Sequence, residues 1–231
     1  KKSGIENSLV ISQKDKRRGR GKKLLPTPVK EKALELGLDV YQPENINSEE
    51  SVNKLREIQP DCIVVVAYGQ ILKRDILILP PHGCVNIHAS LLPKYRGAAP
   101  INWAIIRGEK ETGITIMKMD EGLDTGDILK SESIPIEEED DSSSVHDKLS
   151  ILGGKLIVET LIDMKNGNIK PIPQDDNLSS YAPMLNKEMG KIDWNNEGED
   201  IINLIRGLKP WPSAYIIYKG EKVKIHKAKK I

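Results

Sequence analysis

The sequence predicts an α/β fold with a mainly parallel sheet, followed by the start of a small β domain. Three observations predict it. Strand-like runs alternate with helical patterns across residues 1–169, the order that gives strands a parallel neighbour and a covering helix. Ile63 to Ala67 is a continuous apolar run after Pro60-Asp61, as expected of a parallel strand buried on both faces. Near the end, Ala214 to Tyr218 and Val223 to Ile225 alternate around Lys219-Gly220, a hairpin signal.

Taken in order, Leu9 to Ser12 reads as a short strand, and the basic, glycine-containing stretch up to Lys23 as a loop. Pro28 opens a helix through Leu36 that Gly37 ends, the usual asymmetry of Pro at the start and Gly past the end. Val40 to Gln42 is a brief strand and Ser48 to Ile58 a helix. Cys84 to His88 is a strand, Pro100 to Ile106 a helix, and Gly113 to Met119 and Ile128 to Ile136 are strands. A long helix begins near Asp141 or Ser142, both good caps. Val145, Leu149, Leu152, Leu156 and Met164 mark one of its faces, and Gly167 ends it. Residues 170–187 carry three prolines and read as a linker. Residues 188–231 hold a short helix, Asp200 to Ile205, and the hairpin. A lone hairpin is marginal in water, so this second domain is expected to be partial. The opening likewise reads as entry partway into the first domain.

Hydrophobic content of 38% and charged content of 30% suit a globular chain with a core. No apolar run reaches the roughly 18 residues of a membrane span, and no signal peptide is visible, so the expected location is the cytoplasm. Cys62 and Cys84 lie in apolar runs and are expected as buried free thiols. Four scattered histidines and no CxxC pair predict no metal site. A net charge of +1 is uninformative, but Lys14 to Lys23 holds seven Lys or Arg against one Asp. Arg17, Arg18, Arg20, Lys22 and Lys23 stand among Gly19 and Gly21. Such a run is a solvated surface loop or a phosphate-binding one.

The chemistry-bearing stretch runs from Asn86 to Asp127. Residues two apart in a strand share a face, so Asn86 and His88 point one way and Val85 and Ile87 the other. Ligands of open α/β sheets bind beyond the carboxyl ends of strands, where an amide and an imidazole can act together. Asp124, in a Gly-flanked loop between two strands, is placed to approach from the side. Strand-end Asn-x-His is short, however, and the same two residues can equally be satisfying backbone groups.

The longer text is more specific. Asn86-Ile-His88, Ser90-Leu91-Leu92-Pro93 and Asp120-Glu-Gly-Leu-Asp124-Thr-Gly126 resemble the signature of the folate-dependent formyltransferases. HASLLPKYRGAAPINWAI, MDEGLDTGDI, RGRGKKLLPTPVK and WPSAY are most similar to the methionyl-tRNA formyltransferase branch, and the resemblance extends over nearly the whole chain. It implies a Rossmann-like catalytic domain and a second domain like an OB-fold barrel. That family opens with a strand and a Gly-rich turn that this sequence lacks.

The resemblance also implies the activity and its residues. The reaction would move the formyl group of 10-formyltetrahydrofolate to the amine of initiator methionyl-tRNA through a tetrahedral intermediate. Apart from the resemblance, no metal and no membrane are expected from the composition, and a monomer is the expected state. Asn86, His88 and Asp124 would be catalytic. Asn86 suits an oxyanion donor, His88 a base or oxyanion stabiliser, and Asp124 a carboxylate that orients the imidazole and favours its cation. Folate would meet Tyr68, Gly69, Gln70, Ile71 and Leu72 after the apolar strand, the loop of Met119, Asp120, Glu121, Gly122 and Leu123, and Ser90 to Pro93. Ile71 and Leu72 also read as ordinary core. Arg18, Arg20, Lys22 and Lys23 would contact tRNA. Formyltransferases of small acceptors, a formyltetrahydrofolate hydrolase and a binding module without chemistry are the rival readings. The basic run and the second domain speak against small acceptors.

Overall fold

Polar caps set the helices of the first half of the chain. Thr27 accepts from the Lys30 amide at 3.1 Å and Ser48 from the Ser51 amide at 3.3 Å, satisfying donors that have no partner inside a helix. The computed structural model describes residues 4–18 and 23–229. Its fold divides the chain into two units, Lys1–Asn86 and Ile87–Ile231.

In the first unit, β1 (Val10–Ile11) precedes β2 (Lys16–Arg18) and β3 (Lys23–Leu25), which pair antiparallel with Lys16 opposite Leu25 and Arg18 opposite Lys23. The loop expected here is thus corrected in part: both flanks are strands. A run of charge has no apolar alternation to announce a strand, but a hairpin ladder is built from backbone groups and needs none. Helix α1 (Pro28–Glu35) has Pro at its start and is followed by Gly37 at φ +66°, as the sequence predicts. Strand β4 (Val40–Tyr41) lies parallel to β1. Helix α2 (Glu49–Ile58) buries Val52 and Leu55. Strand β5 (Ile63–Val65), a short helix α3 (Arg74–Leu77) and strand β6 (Cys84–His88) follow. β5 and β6 are parallel, with Ile63 opposite Cys84 and Val65 opposite Asn86. The expectation that β5 is buried on both faces fails among the described residues. Val64 is 41% and Val66 56% exposed, because an apolar run records what can be covered, not what is.

In the second unit, β7 (Arg96–Gly97) leads to α4 (Pro100–Ile106), then β8 (Glu111–Lys118) and β9 (Ile128–Pro135), an antiparallel pair with an irregularity at Ile116/Met117. Helix α5 (Ser142–Lys165) starts in a capping box between Asp141 and Ser144. It packs against β8 and β9, and Val145, Leu149, Leu152 and Leu156 on its apolar face are all buried. Each such side chain contributes about 1.5–3 kcal/mol. The linker stretch contains β10 (Tyr181–Ala182), parallel to β7. Helix α6 (Gly198–Gly207) is longer than expected and packs on α4; the Asn102 side chain donates to the Gly207 carbonyl at 2.7 Å. Strands β11 (Ala214–Tyr218) and β12 (Glu221–Ile225) form the expected hairpin, with Tyr218 opposite Glu221 and both Lys219 and Gly220 at positive φ. That is the geometry of a two-residue turn matched to strand twist. No helix among the described residues is long and apolar enough to cross a membrane.

Candidate active site

Strand β6 ends in the predicted pair. Val85 is fully buried. Ile87 lies over Gly153 of α5, where an added Cβ would come within 3.1 Å of its Cγ2. Alternation therefore turns Asn86 and His88 to the other face. His88 is 5% exposed, and its Nε2 sits 2.9 Å from the Tyr95 carbonyl oxygen. A carbonyl only accepts, so Nε2 carries hydrogen and donates. Nδ1 is then the nitrogen left for chemistry. It faces Asp124 Oδ2 at 3.7 Å, too long for a hydrogen bond and within ion-pair range only when the ring carries a second proton. The ring is thus oriented by Tyr95, with the Asp124 carboxylate beside its free nitrogen.

Asp124 is itself held. The Gly97 amide donates to its Oδ2 at 2.8 Å, and its backbone lies at φ +54°, a region that Asp tolerates better than most residues. The segment Tyr95–Gly97 therefore touches both groups: its first carbonyl orients the imidazole and its last amide anchors the carboxylate. Gly97 has φ +117°, and a Cβ there would lie 2.8 Å from the Ala182 carbonyl oxygen and 2.8 Å from the Tyr181 ring. Gly97→Ala should therefore lower stability by about 1–3 kcal/mol in denaturant unfolding, with reduced turnover as the anchor of Asp124 shifts. Unchanged stability would mean that the β7–β10 pairing yields freely.

The expected folate segments are well-formed loops. In the first unit, the Tyr68 carbonyl accepts from Gln13 at 2.6 Å. Gly69, at φ +80°, leaves room for that side chain, since an added Cβ would lie 2.7 Å from its Nε2. Gln70 accepts from the Ile46 amide and donates to the Glu44 carbonyl. The Ile71 carbonyl accepts from Asn47. Ile71 is 85% exposed, whereas Leu72 is core, which divides the two residues that the sequence left ambiguous. The Tyr68 hydroxyl is buried without a partner among the described residues, and burial pushes its pKa upward, with a contribution from Tyr41.

In the second unit, the loop after β8 is closed by Thr125, which donates to both Asp120 oxygens at 2.8 and 2.9 Å. The Gly122 amide also donates to Asp120. Gly126 passes so close to the Lys118 carbonyl that no Cβ fits. Met119 is half-buried, Glu121 and Gly122 are exposed, and Leu123 is 58% exposed. Ser90 is fully buried and donates to the Lys94 carbonyl at 2.6 Å, while Leu92 is core. Leu91 and Pro93 line a cleft of about 320 Å³ with Tyr95, Glu109 and Thr112.

Of the basic residues, Lys23 is exposed on β3, and Arg18 is described by its backbone alone. Arg20 and Lys22 lie outside the described residues. The cysteines are free; Cys84 is buried and Cys62 half-buried. Burial, with smaller contributions from Asp61 at Cys62 and from Cys62 at Cys84, pushes their thiols to about 11 for Cys62 and about 12 for Cys84, so neither is a nucleophile near neutrality. Among the described residues no cluster of three or more His, Cys, Asp or Glu is arranged to hold a metal.

Sequence reasoning missed Tyr95, Gly97 and Gln174. Gln174 donates to the Asp124 carbonyl at 2.9 Å and the Gly126 carbonyl at 2.7 Å. Tyr95 and Gly97 act through backbone atoms, so no side-chain pattern marks them. Gln174 sits in a stretch whose composition reads as linker.

Residues 1–161 match the formyl transferase family and residues 184–231 the formyl transferase C-terminal domain family. Over 226 residues the chain is 56% identical to the methionyl-tRNA formyltransferase of Caldanaerobacter subterraneus subsp. tengcongensis, covering 97% of this chain and 73% of that one. Among solved structures, a sugar N-formyltransferase from Shewanella sp. FDAARGOS_354 is similar with a TM-score of 0.69 at 28% identity, covering 87% of this chain and 81% of that one. HypX from Aquifex aeolicus, solved with tetrahydrofolic acid, shares the fold at TM-score 0.67 and 19% identity over 84% of this chain and 34% of that one. The sheet arrangement expected from the sequence is accordingly the Rossmann-like formyltransferase fold, and the chain belongs to the formyl transferase family, in its methionyl-tRNA formyltransferase branch.

Proposed function

We propose that this chain transfers the formyl group of 10-formyltetrahydrofolate to the free amine of initiator methionyl-tRNA. The observation that carries the chemistry is the buried His88, with Nε2–H fixed on Tyr95 and Nδ1 turned to the Asp124 carboxylate. The amine attacks the formyl carbon and a C–N bond forms. The carbonyl oxygen gains negative charge, and the amine nitrogen carries a surplus proton. Asn86 donates a hydrogen bond to that oxygen. His88 takes the proton at Nδ1, and Asp124 stabilises the charge that the ring acquires. The same proton passes to the departing folate nitrogen as its bond to carbon breaks. No Ser or Cys sits beside a base in this scheme, so no acyl-enzyme is needed.

Two segments support the reading of a pterin-bearing substrate. Such a ligand needs apolar surface edged by a few polar groups. Taken each in its own unit, Ile71 in the first and Leu123 in the second are exposed apolar side chains of the expected folate segments, and in the first unit the Tyr68 hydroxyl is buried without a hydrogen-bond partner among the described residues. The test is incubation with 10-formyltetrahydrofolate and charged initiator tRNA. Formylmethionyl-tRNA should accumulate, and folate turnover should depend on the acceptor. Equal release of formate without tRNA would replace this reading with a hydrolase.

The acceptor is tested at the basic segment, Arg18 to Lys23. Every cation–phosphate pair removed from the interface lowers the salt slope of tRNA binding by about one. Arg20→Ala should weaken tRNA binding and reduce the slope, while Arg20→Lys should restore the slope but not any bidentate hydrogen bonding. Folate binding should stay unchanged in both. Three identical binding curves across a salt series would remove this segment from the tRNA interface.

A further inference from the structure

We propose that Gln174 is a positioning residue that sets the backbone of the Asp124 loop, so that the stretch after α5 braces the reaction centre. The inference rests on the reading of Asp124 as a participant in the transfer.

The Gln174 carboxamide is saturated. Its Nε2 donates to the Asp124 carbonyl at 2.9 Å and to the Gly126 carbonyl at 2.7 Å. Its Oε1 accepts from Arg96 Nε at 3.0 Å and Nη2 at 2.8 Å. The orientation of the amide is forced, because guanidinium groups only donate and carbonyls only accept. Two donors and two acceptor sites are all that a carboxamide has, and no other side chain of this length supplies both. Arg96 also reaches Asp176 Oδ1 at 2.8 Å, and its side chain is 12% exposed.

The brace is pinned on both sides. Ile172 and Ile128 exchange backbone hydrogen bonds at 2.8 and 2.9 Å. Tyr181–Ala182 pairs with Arg96–Gly97, and the Tyr95 amide donates to Ser180 at 2.9 Å. Arg96 stands between the residue that orients His88 and the residue that anchors Asp124. Gln174 then holds the carbonyl of Asp124 itself, at a left-handed φ that persists where surroundings enforce it. Gly97 fixes the carboxylate and Gln174 fixes the backbone, so the distance to His88 is set from both ends.

Gln174→Glu is the discriminating change, since it keeps the acceptors for Arg96 and removes both donors. Gln174→Met removes the donors without adding charge and serves if the Glu variant folds poorly. A misplacement of about 1 Å can cost as much as 10²-fold, so kcat should fall about 10- to 100-fold while KM for both substrates stays within about twofold. In an Asp124→Asn background the same change should cost nothing further, because both act on one group. Hydrogen exchange of the amides at 121–127 should accelerate while α5 is unchanged. Normal turnover, or an equal loss in the Asp124→Asn background, overturns the proposal. If Asp124→Asn alone turns over normally, the reading of Asp124 fails, and accelerated exchange would then reduce Gln174 to a structural brace.

Discussion

Replacing His88 with Ala is expected to lower kcat by about 10²-fold or more, the scale of lost acid–base catalysis. The structure makes this a test of a single atom. Nε2 is committed to the Tyr95 carbonyl at 2.9 Å, so in the proposed transfer Nδ1 is the ring nitrogen that takes the proton of the attacking amine. The loss should appear in kcat, with KM for folate and tRNA near wild type, because the ring is buried at 5% exposure and offers little binding surface. His88→Gln distinguishes a packing effect, since it fills much of the space without accepting a proton and should be nearly as slow. Turnover within a few-fold of wild type in both variants would take His88 out of the mechanism, and Asp124 would lose the partner that justifies its place.

Much of the fold was legible because its signals are local. Caps at Thr27, Ser48 and Asp141, the apolar face of α5 and the Lys219-Gly220 turn all lie within a few residues of what they determine. The strand-end pair Asn86 and His88 was legible for the same reason. What escaped is non-local. The parallel pairing of Arg96–Gly97 with Tyr181–Ala182 joins two two-residue strands far apart in sequence, and a two-residue strand has no period to read. The pairing of β2 with β3 escaped because a charged run carries no apolar alternation. The orientation of His88 escaped because its partner is a main-chain carbonyl, which every residue possesses. A motif thus names the candidate side chains, while the backbone groups that orient them are written into the topology.

Asn86→Ala is the companion experiment, and its expected cost is about 2.7–4 kcal/mol of transition-state stabilisation, or about 10²–10³ in kcat. Asn86 lies half-buried on β6, two residues before the end of the strand, and pairs through its backbone with Val65 of β5. A residue on a paired strand has its backbone fixed before the substrate arrives. Such preorganisation is what makes an oxyanion donor effective, since nothing has to reorganise as charge develops. Asn86→Asp keeps the shape, removes the amide donor and adds a negative charge where the oxyanion forms, so it should be slower than Asn86→Ala. That order separates oxyanion stabilisation from simple packing, for which the isosteric Asp would be the milder change. Single-turnover rates for the two variants decide it. The Asn86→Ala, His88→Ala double variant should be less impaired than the product of the two single losses, because groups that serve one transition state are not additive. If Asn86→Asp proves faster than Asn86→Ala, the oxygen of the intermediate is stabilised elsewhere and Asn86 serves only to shape the end of the strand.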